Sequence, residues 1–221
     1  MLTWATYETL RRPDLRARVV DEARALFDVE GCARCVRTPE GICGVPSRER
    51  IERLVHTPAI LREALRMHSV VPVVMRRAVH DDVFAADEAG LPRDVHLPAG
   101  CVVAIGIEGV HKNPTIWPDP DHFNPDRFLN VDPPQAIDPY GFIPFINGPR
   151  NCLGQHFALV EAQVALAFMH YRWDLALFRD PATDGDDETW QKEIGRHHDY
   201  IIPQVPHDGL KVTGTLRSQL G

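Results

Sequence analysis

Apolar residues in this chain recur in patterns that predict several helices, a few short strands and two long irregular stretches. Leu15, Val19, Ala23 and Leu26 repeat at steps of three and four behind Pro13, a residue favoured at the first helical position, so an amphipathic helix is predicted from Pro13 to about Phe27. Ahead of it, Trp4, Tyr7 and Leu10 read as the final turns of another helix, and the chain opens inside an element. Thr57 and Pro58 supply an N-cap and a first position for a short helix over 58–68, whose stripe is Ile60, Leu61, Ala64 and Leu65 and which ends before Pro72. Val71 to Val79 is strand-like; Val95 with Leu97, then Pro98-Ala99-Gly100, then Cys101 to Ile107 read as two strands joined by a tight turn. Leu153 to Tyr171 is the most apolar helix, with Leu153, Phe157, Val160, Val164, Leu166 and Phe168 covering most of its circumference, which predicts burial on several sides. Trp173 to Phe178 reads as a strand, Asp180 to Glu188 as a solvated acidic loop, and Tyr200 to Thr215 as a terminal hairpin turning at Asp208-Gly209.

Glycine and proline mark the rest. Residues 29–48 carry Gly31, Gly41, Gly44, Pro39 and Pro46 among polar neighbours and read as an irregular loop insertion. From 113 to 149 there are nine prolines and little periodicity, so the backbone there is extended and meandering; ordered-looking aromatics without regular structure are usually wrapped around something.

Composition narrows the classes. The 221 residues include 24 Lys plus Arg against 31 Asp plus Glu, a formal net charge of −7, with 44% hydrophobic and 25% charged residues, which is ordinary globular usage. An acidic balance without a basic face argues against nucleic acid as a partner. The longest apolar run, Cys101 to Ile107, stops at Glu108, well short of the about 18 residues a membrane helix needs, and the N-terminus lacks the features of a secretory signal. Five cysteines, an odd number in a mid-sized chain, argue against a disulfide scaffold and for a reducing, intracellular compartment. Cys32-x-x-Cys35 with Cys43, and His56 as the nearest fourth ligand, is a candidate zinc site; the competing reading is a loop with incidental cysteines.

The informative segment is Phe145 to Gly154, FINGPRNCLG, placed just before the apolar helix. Cys152 there would lie at the positive end of the helix dipole, an environment that stabilises a thiolate and suits a metal ligand. Gly148 and Gly154 allow positive φ or close approach to a flat ligand, and Arg150 can pair with a carboxylate.

Phe145, Gly148, Arg150, Cys152 and Gly154 match at every fixed position the haem-binding loop of the cytochrome P-450 family, which the chain therefore resembles. The resemblance implies haem b (iron protoporphyrin IX) with Cys152 as its axial thiolate ligand and only metal ligand, Phe145 packed against the thiolate side and Arg150 on a haem propionate. Thiolate ligation pushes electron density toward iron and favours O–O cleavage. Glu63 and Arg66 in LREALR, followed by Arg127 in FNPDRF, are similar to the family's Glu-Arg-Arg network, with Asp126 standing where the family usually has Glu; the implied role is to lock the meander to the haem loop. Arg77 resembles the strand arginine that meets a haem propionate, with Arg76 as a rival. By the same resemblance Val71 to Met75 would form part of the substrate pocket wall, while His111 in HKNP is expected to be structural.

The implied fold is mainly α with small β-sheets (α+β), and residues 1–221 form the C-terminal half of a single cytochrome P-450 domain, with 113–152 as meander and haem loop and 153–171 as the buried helix. The implied function is that of a haem-thiolate monooxygenase, inserting one oxygen atom from O2 into a small apolar organic substrate with electrons from a reductase or ferredoxin. The family's oxygen-activating residues precede a segment like LTWATYETL, so no catalytic residue is assigned here, and any membrane anchor would belong to the missing N-terminal part. The isolated chain is expected to bind haem poorly or to fold marginally. Three alternatives remain open: a peroxide-rearranging member, which an insertion in the haem loop would support and which shows none; a non-catalytic, haem-binding remnant; and a zinc module.

Overall fold

The computed structural model describes residues 1–27, 46–129, 137–179, 204–206 and 209–217. Helix α1 (Leu2–Arg11) ends where Pro13 forces the preceding Arg12 into extended geometry, φ −125° and ψ 99°, and α2 (Pro13–Phe27) starts on the proline itself. A short α3 (Arg48–Ile51) leads into α4 (His56–Met67). Strands β1 (Val73–Arg77) and β2 (Asp82–Phe84), the short α5 (Ala86–Ala89), β3 (Val95–Leu97), β4 (Val102–Gly106) and α6 (Ile107–His111) follow. The meander carries one 3-10 turn, Pro125–Phe128, before α7 (Gln155–Arg172), β5 (Trp173–Leu177) and β6 (Val212–Leu216). Among the described residues no helix is long and apolar enough to cross a membrane.

The core sits where α1, α2, α4 and α7 converge. Trp4, Tyr7, Leu15, Val19, Ile60, Leu61, Phe123 and Leu166 form its larger part, and Ala23, Leu26, Phe27, Leu54 and Ala167 a second part between α2 and α7. Burying side chains of this size is worth about 1.5–3 kcal/mol each for the large aliphatic and aromatic ones, and this is the main force holding the helices together.

Four expectations from the sequence need correction. Val95–Leu97 and Val102–Gly106 are strands, but not of one hairpin: β3 pairs antiparallel with β2 (Val83 opposite His96), and β4 with β1 (Met75 opposite Ala104). The Pro98–Cys101 turn closes on itself and is held by Ala78, whose carbonyl accepts from Gly100 N–H (2.8 Å) and whose N–H donates to Cys101 (2.8 Å), so it hands the chain from one sheet to the other. Ile107 opens α6 instead of ending the strand. The expected terminal hairpin over 200–215 is not one of the four: residues 200–203 and 207–208, its turn included, lie outside the described residues, as does the acidic loop 180–188, while β6 pairs with β5 (Leu175 opposite Gly214) and Gln204 N–H donates to Val70 O (2.8 Å).

Thr57 does not cap α4 by itself, either. The helix starts at His56, and its N-terminal amides are satisfied from α2: the Glu22 carboxylate accepts from the N–H groups of Val55 (2.6 Å), His56 (2.7 Å) and Thr57 (2.8 Å) and from the Thr57 hydroxyl (2.7 Å). A carboxylate at a helix N-terminus gains both the hydrogen bonds and the dipole. Glu22→Ala is expected to lower the unfolding free energy by about 1–2 kcal/mol, read as a lower urea midpoint at unchanged slope.

The fourth correction concerns α7. It starts at Gln155 and not at Leu153, and its C-terminal half is core, with Leu166, Ala167 and His170 fully buried, but Phe157 and Val160 on it are 73% and 48% exposed and Leu153 just before it is 101% exposed. Apolar composition records a preference for apolar surroundings, and this chain's described residues supply them only to one end of the helix.

Candidate functional site

The loop 145–154 is a sequence of tight turns. Ile146 takes φ +62° and Gly148 φ +86°, a conformation a β-carbon resists, and an added Cβ at Gly148 would meet nothing within 4 Å. Backbone geometry, not crowding, explains the glycine there. Ile146 N–H donates to Ile143 O (3.0 Å), Asn151 N–H to Gly148 O (3.1 Å), and Cys152 N–H to Phe145 O (2.9 Å), so the first and last functional positions of the loop are tied together. Gly154 is the N-cap of α7, which places Cys152 two residues outside the helix on its axis end. Its thiol is free and exposed.

Leu153, next to Cys152 in the chain, is exposed just before α7, and Phe157 and Val160 on the first turns of the helix are exposed as well. A soft, exposed sulfur followed by exposed apolar residues and preceded by a glycine turn with open space above it is the donor set and the shape that suit a flat apolar macrocycle held through its iron, so the residues present fit haem. Phe145 is half-buried and lines, with Arg62, Leu65, Phe142, Pro144 and Gln155, a cavity of about 300 Å³ behind the loop. Arg150 is exposed and makes no ion pair among the described residues. Arg77 is exposed on β1, its Nη1 donating to Gly100 O (3.0 Å), and makes no hydrogen bond with the loop; Arg76 donates to its neighbour Met75 O (2.9 Å). No contact brings either arginine to Cys152.

Glu63, Arg66 and Arg127 do come together. Arg66 donates Nε and Nη2 to the two Glu63 carboxylate oxygens, both at 2.8 Å, and Nη1 to His111 O at 2.9 Å. Both side chains of the Glu63–Arg66 pair are fully buried. Glu63 Oε1 also accepts from Asn124 N–H (2.9 Å) and lies 3.5 Å from Arg127 Nε, while Arg127 Nη2 donates to Asp119 O (2.7 Å). The guanidinium of Arg66 lies over the Trp117 ring, whose indole N–H donates to Gly141 O (3.1 Å). One face of α4 thereby holds the end of α6 at His111 and the meander at His122 O (3.4 Å from Arg66 Nη2) and Asn124, while Arg127 ties the meander to itself at Asp119.

His111, expected to be structural, is the link from this network to the loop. Its ring is buried; Nε2 accepts from Ile143 N–H (2.9 Å), which leaves the proton on Nδ1, facing the Ser69 hydroxyl at 3.3 Å. Burial, and secondarily the Arg66 charge, push its pKa down to about 4, so the ring is neutral when it holds the loop.

Other groups of consequence were not visible as such in the sequence. Asp126 accepts from Arg18 of α2 (2.7 Å), tying α2 to the meander. Glu8 of α1 accepts from His68 at 2.7 Å and pairs with Arg12, and the His68 ring stacks on Trp4 at 4.1 Å. Burial pushes the Glu8 carboxyl up, but His68 and Arg12 outweigh it and hold it below the usual range. His170 is buried with both ring nitrogens unpartnered among the described residues, and burial, with Arg16 and Arg217 adding repulsion, lowers its pKa to about 4. Cys32, Cys35 and Cys43 lie outside the described residues, and among the described residues no cluster of His, Cys, Asp or Glu could hold a metal ion.

A sequence model of the cytochrome P-450 family matches residues 1–195. The chain is 37% identical over 172 residues to rat cytochrome P-450 4F6, covering 78% of this chain and 28% of that protein, and 36% identical over 176 residues to mouse leukotriene-B4 omega-hydroxylase 3, covering 79% and 30%. The chain thus spans less than a third of the length of these curated relatives. Among solved structures it is similar to the cytochrome P450DA heme domain, with a TM-score of 0.72 and 28% identity over 98% of this chain and 40% of that one, and to a triple mutant of the same domain at 0.64 and 30%, over 81% and 36%.

Proposed function

The chain belongs to the cytochrome P-450 family, and from that premise we propose that it is the haem-holding portion of a haem-thiolate monooxygenase acting on a small apolar organic substrate. The observation that carries this reading is the exposed Cys152 just before α7, followed by the exposed Leu153 and Phe157 and tied through its own N–H to Phe145.

When bound, haem supplies the activation of O2 and the transfer of one oxygen atom to substrate. The chain's part is to hold and to orient. Cys152 would be the axial thiolate, Leu153 and Phe157 the apolar contact, and Arg150 and Arg77 the partners of the propionates. The Gly148 turn and the Cys152–Phe145 hydrogen bond fix the backbone that carries the sulfur, so little backbone reorganisation is needed on ligation. Val71 to Met75, exposed or half-buried except for Pro72, forms one wall for substrate in this proposal. The mouse relative's name specifies omega-hydroxylation of a leukotriene, and a chain of that apolar class is a suitable substrate class here. Electrons come from a reductase or ferredoxin, and the odd cysteine count supports a reducing, intracellular compartment.

The test is turnover of haem-loaded polypeptide with an electron donor under heavy-isotope oxygen gas. One labelled atom in the hydroxylated product is expected; product oxygen drawn from water would overturn the monooxygenase reading, and haem binding with no product would reduce it to a haem-binding role.

A further inference from the structure

The haem loop carries an asparagine placed for self-modification. Asn147 is exposed and is followed by Gly148, itself exposed, whose backbone has φ +86° and no side chain to shield it. Among the described residues, the Gly148 N–H makes no hydrogen bond, so its nitrogen is not committed elsewhere. The other four asparagines differ in the residue that follows. Asn113 and Asn124 precede Pro114 and Pro125, whose nitrogen carries no proton to lose, Asn130 precedes the β-branched Val131, and Asn151 precedes Cys152.

We propose that Asn147 is a site of spontaneous deamidation that unties the haem loop from the meander. The Gly148 backbone nitrogen, deprotonated by hydroxide, attacks the Asn147 side-chain carbonyl carbon; a C–N bond forms, the bond to Nδ2 breaks, and ammonia leaves. Water then opens the resulting five-membered imide at either carbonyl, giving aspartate or isoaspartate at position 147. The net change is amide plus water to carboxylate plus ammonium, with nothing oxidised or reduced.

The structural consequence follows from one hydrogen bond. Asn147 Nδ2 donates to Pro139 O at 2.7 Å, a direct side-chain tie between the 145–154 loop and the meander. A carboxylate has no proton to donate, so after conversion two acceptors face each other and the tie becomes repulsive. Isoaspartate also adds a methylene to the backbone inside the span closed by the Cys152 N–H to Phe145 O bond.

The full chain, incubated at neutral and mildly alkaline pH, digested, and read by peptide mass and by isoaspartyl methylation, decides the chemistry. Conversion at 147 is expected to rise in proportion to hydroxide and to outpace conversion at Asn151 by at least about tenfold, equivalent to about 1.4 kcal/mol in barrier. An unmodified Asn147 when Asn151 has converted, or a pH-independent rate, would overturn the site. Asn147→Asp, compared with Asn147→Gln, which keeps a donor, decides the consequence: faster amide hydrogen exchange at Gly141 and Ile146 in the aspartate variant supports it, and equal exchange in the two variants refutes it. Neither reading depends on haem, so failure here leaves the proposed function standing.

Discussion

Glu63→Gln is expected to lower the unfolding free energy by about 3–5 kcal/mol, the range found when one partner of a buried ion pair is removed. A solvent-exposed pair at the same three-residue spacing would contribute only about 0.2–0.5 kcal/mol. What separates the two cases is burial: both side chains are fully enclosed, and without the carboxylate Arg66 keeps its charge in the interior with only neutral partners, His111 O at 2.9 Å, His122 O at 3.4 Å and the Trp117 face. Glu63 Oε1 also holds Asn124 N–H, so the meander loses an anchor as well. Arg127, 9% exposed and 3.5 Å away, should matter less, and Arg127→Gln is expected to lose less than half as much. Urea unfolding of the single variants and of Glu63→Leu with Arg66→Met tests this. The paired apolar variant should recover most of the loss, since no charge is left stranded. If Glu63→Gln unfolds within about 0.5 kcal/mol of the parent, the range of ordinary surface changes, the pair is not what holds the meander.

Acid should loosen the same structure through two histidines. His111 and His170 have folded pKa values of about 4 against 6.5 unfolded, so each is neutral in the fold while the unfolded chain takes up a proton. The stability they hold is fully present above pH 6.5 and is lost as pH falls from 6.5 toward 4, by about 3 kcal/mol per histidine at 1.36 kcal/mol per pH unit. For His111 the mechanism is specific: protonated Nε2 would point a donor at the Ile143 N–H that it now accepts from, beside the Arg66 charge. Among the described residues His170 makes no hydrogen bond, and its protonated ring would be buried and repelled by Arg16 and Arg217. His170→Leu is therefore expected to raise stability at neutral pH and to halve the slope of unfolding free energy against pH between 6.5 and 4, because an unpartnered buried polar group is removed together with its proton. A slope unchanged in that variant would show that His170 does not titrate with unfolding.

Much of this architecture was legible in the residues. Pro13 and the Leu15–Leu26 stripe placed α2, and the FINGPRNCLG loop, LREALR and FNPDRF placed the site's parts in order. Strand partners were not legible, because the alternation in Val95–Leu97 and Val102–Gly106 says which residues share a face, not which strand lies alongside, and Ala78 made that choice from twenty-odd residues away. The Glu22 cap and the Glu8–His68 pair were missed for a related reason. Glu22 reads as an ordinary acidic position on α2 until α4, more than thirty residues on, brings its first amides to it, and Glu8 finds His68 across 60 residues. At the start of α7 the apolar residues were identified and their surroundings were not, since Leu153 just before the helix and Phe157 on it look the same in sequence whether a protein or a cofactor is to cover them. Arg77 was singled out by resemblance alone, and on β1 it donates to Gly100 O and has no hydrogen bond to the loop.

Everything proposed for the site converges on whether the Cys152 sulfur binds iron. Haem should be added to the chain and to Cys152→Ser, each reduced under carbon monoxide, and the position of the Soret band read for whatever fraction binds, because position reports the ligand and height only the affinity. The parent is expected to give the red-shifted band of a thiolate-ligated carbonyl complex and the serine variant to lose it; the same red-shifted band in both would contradict the account.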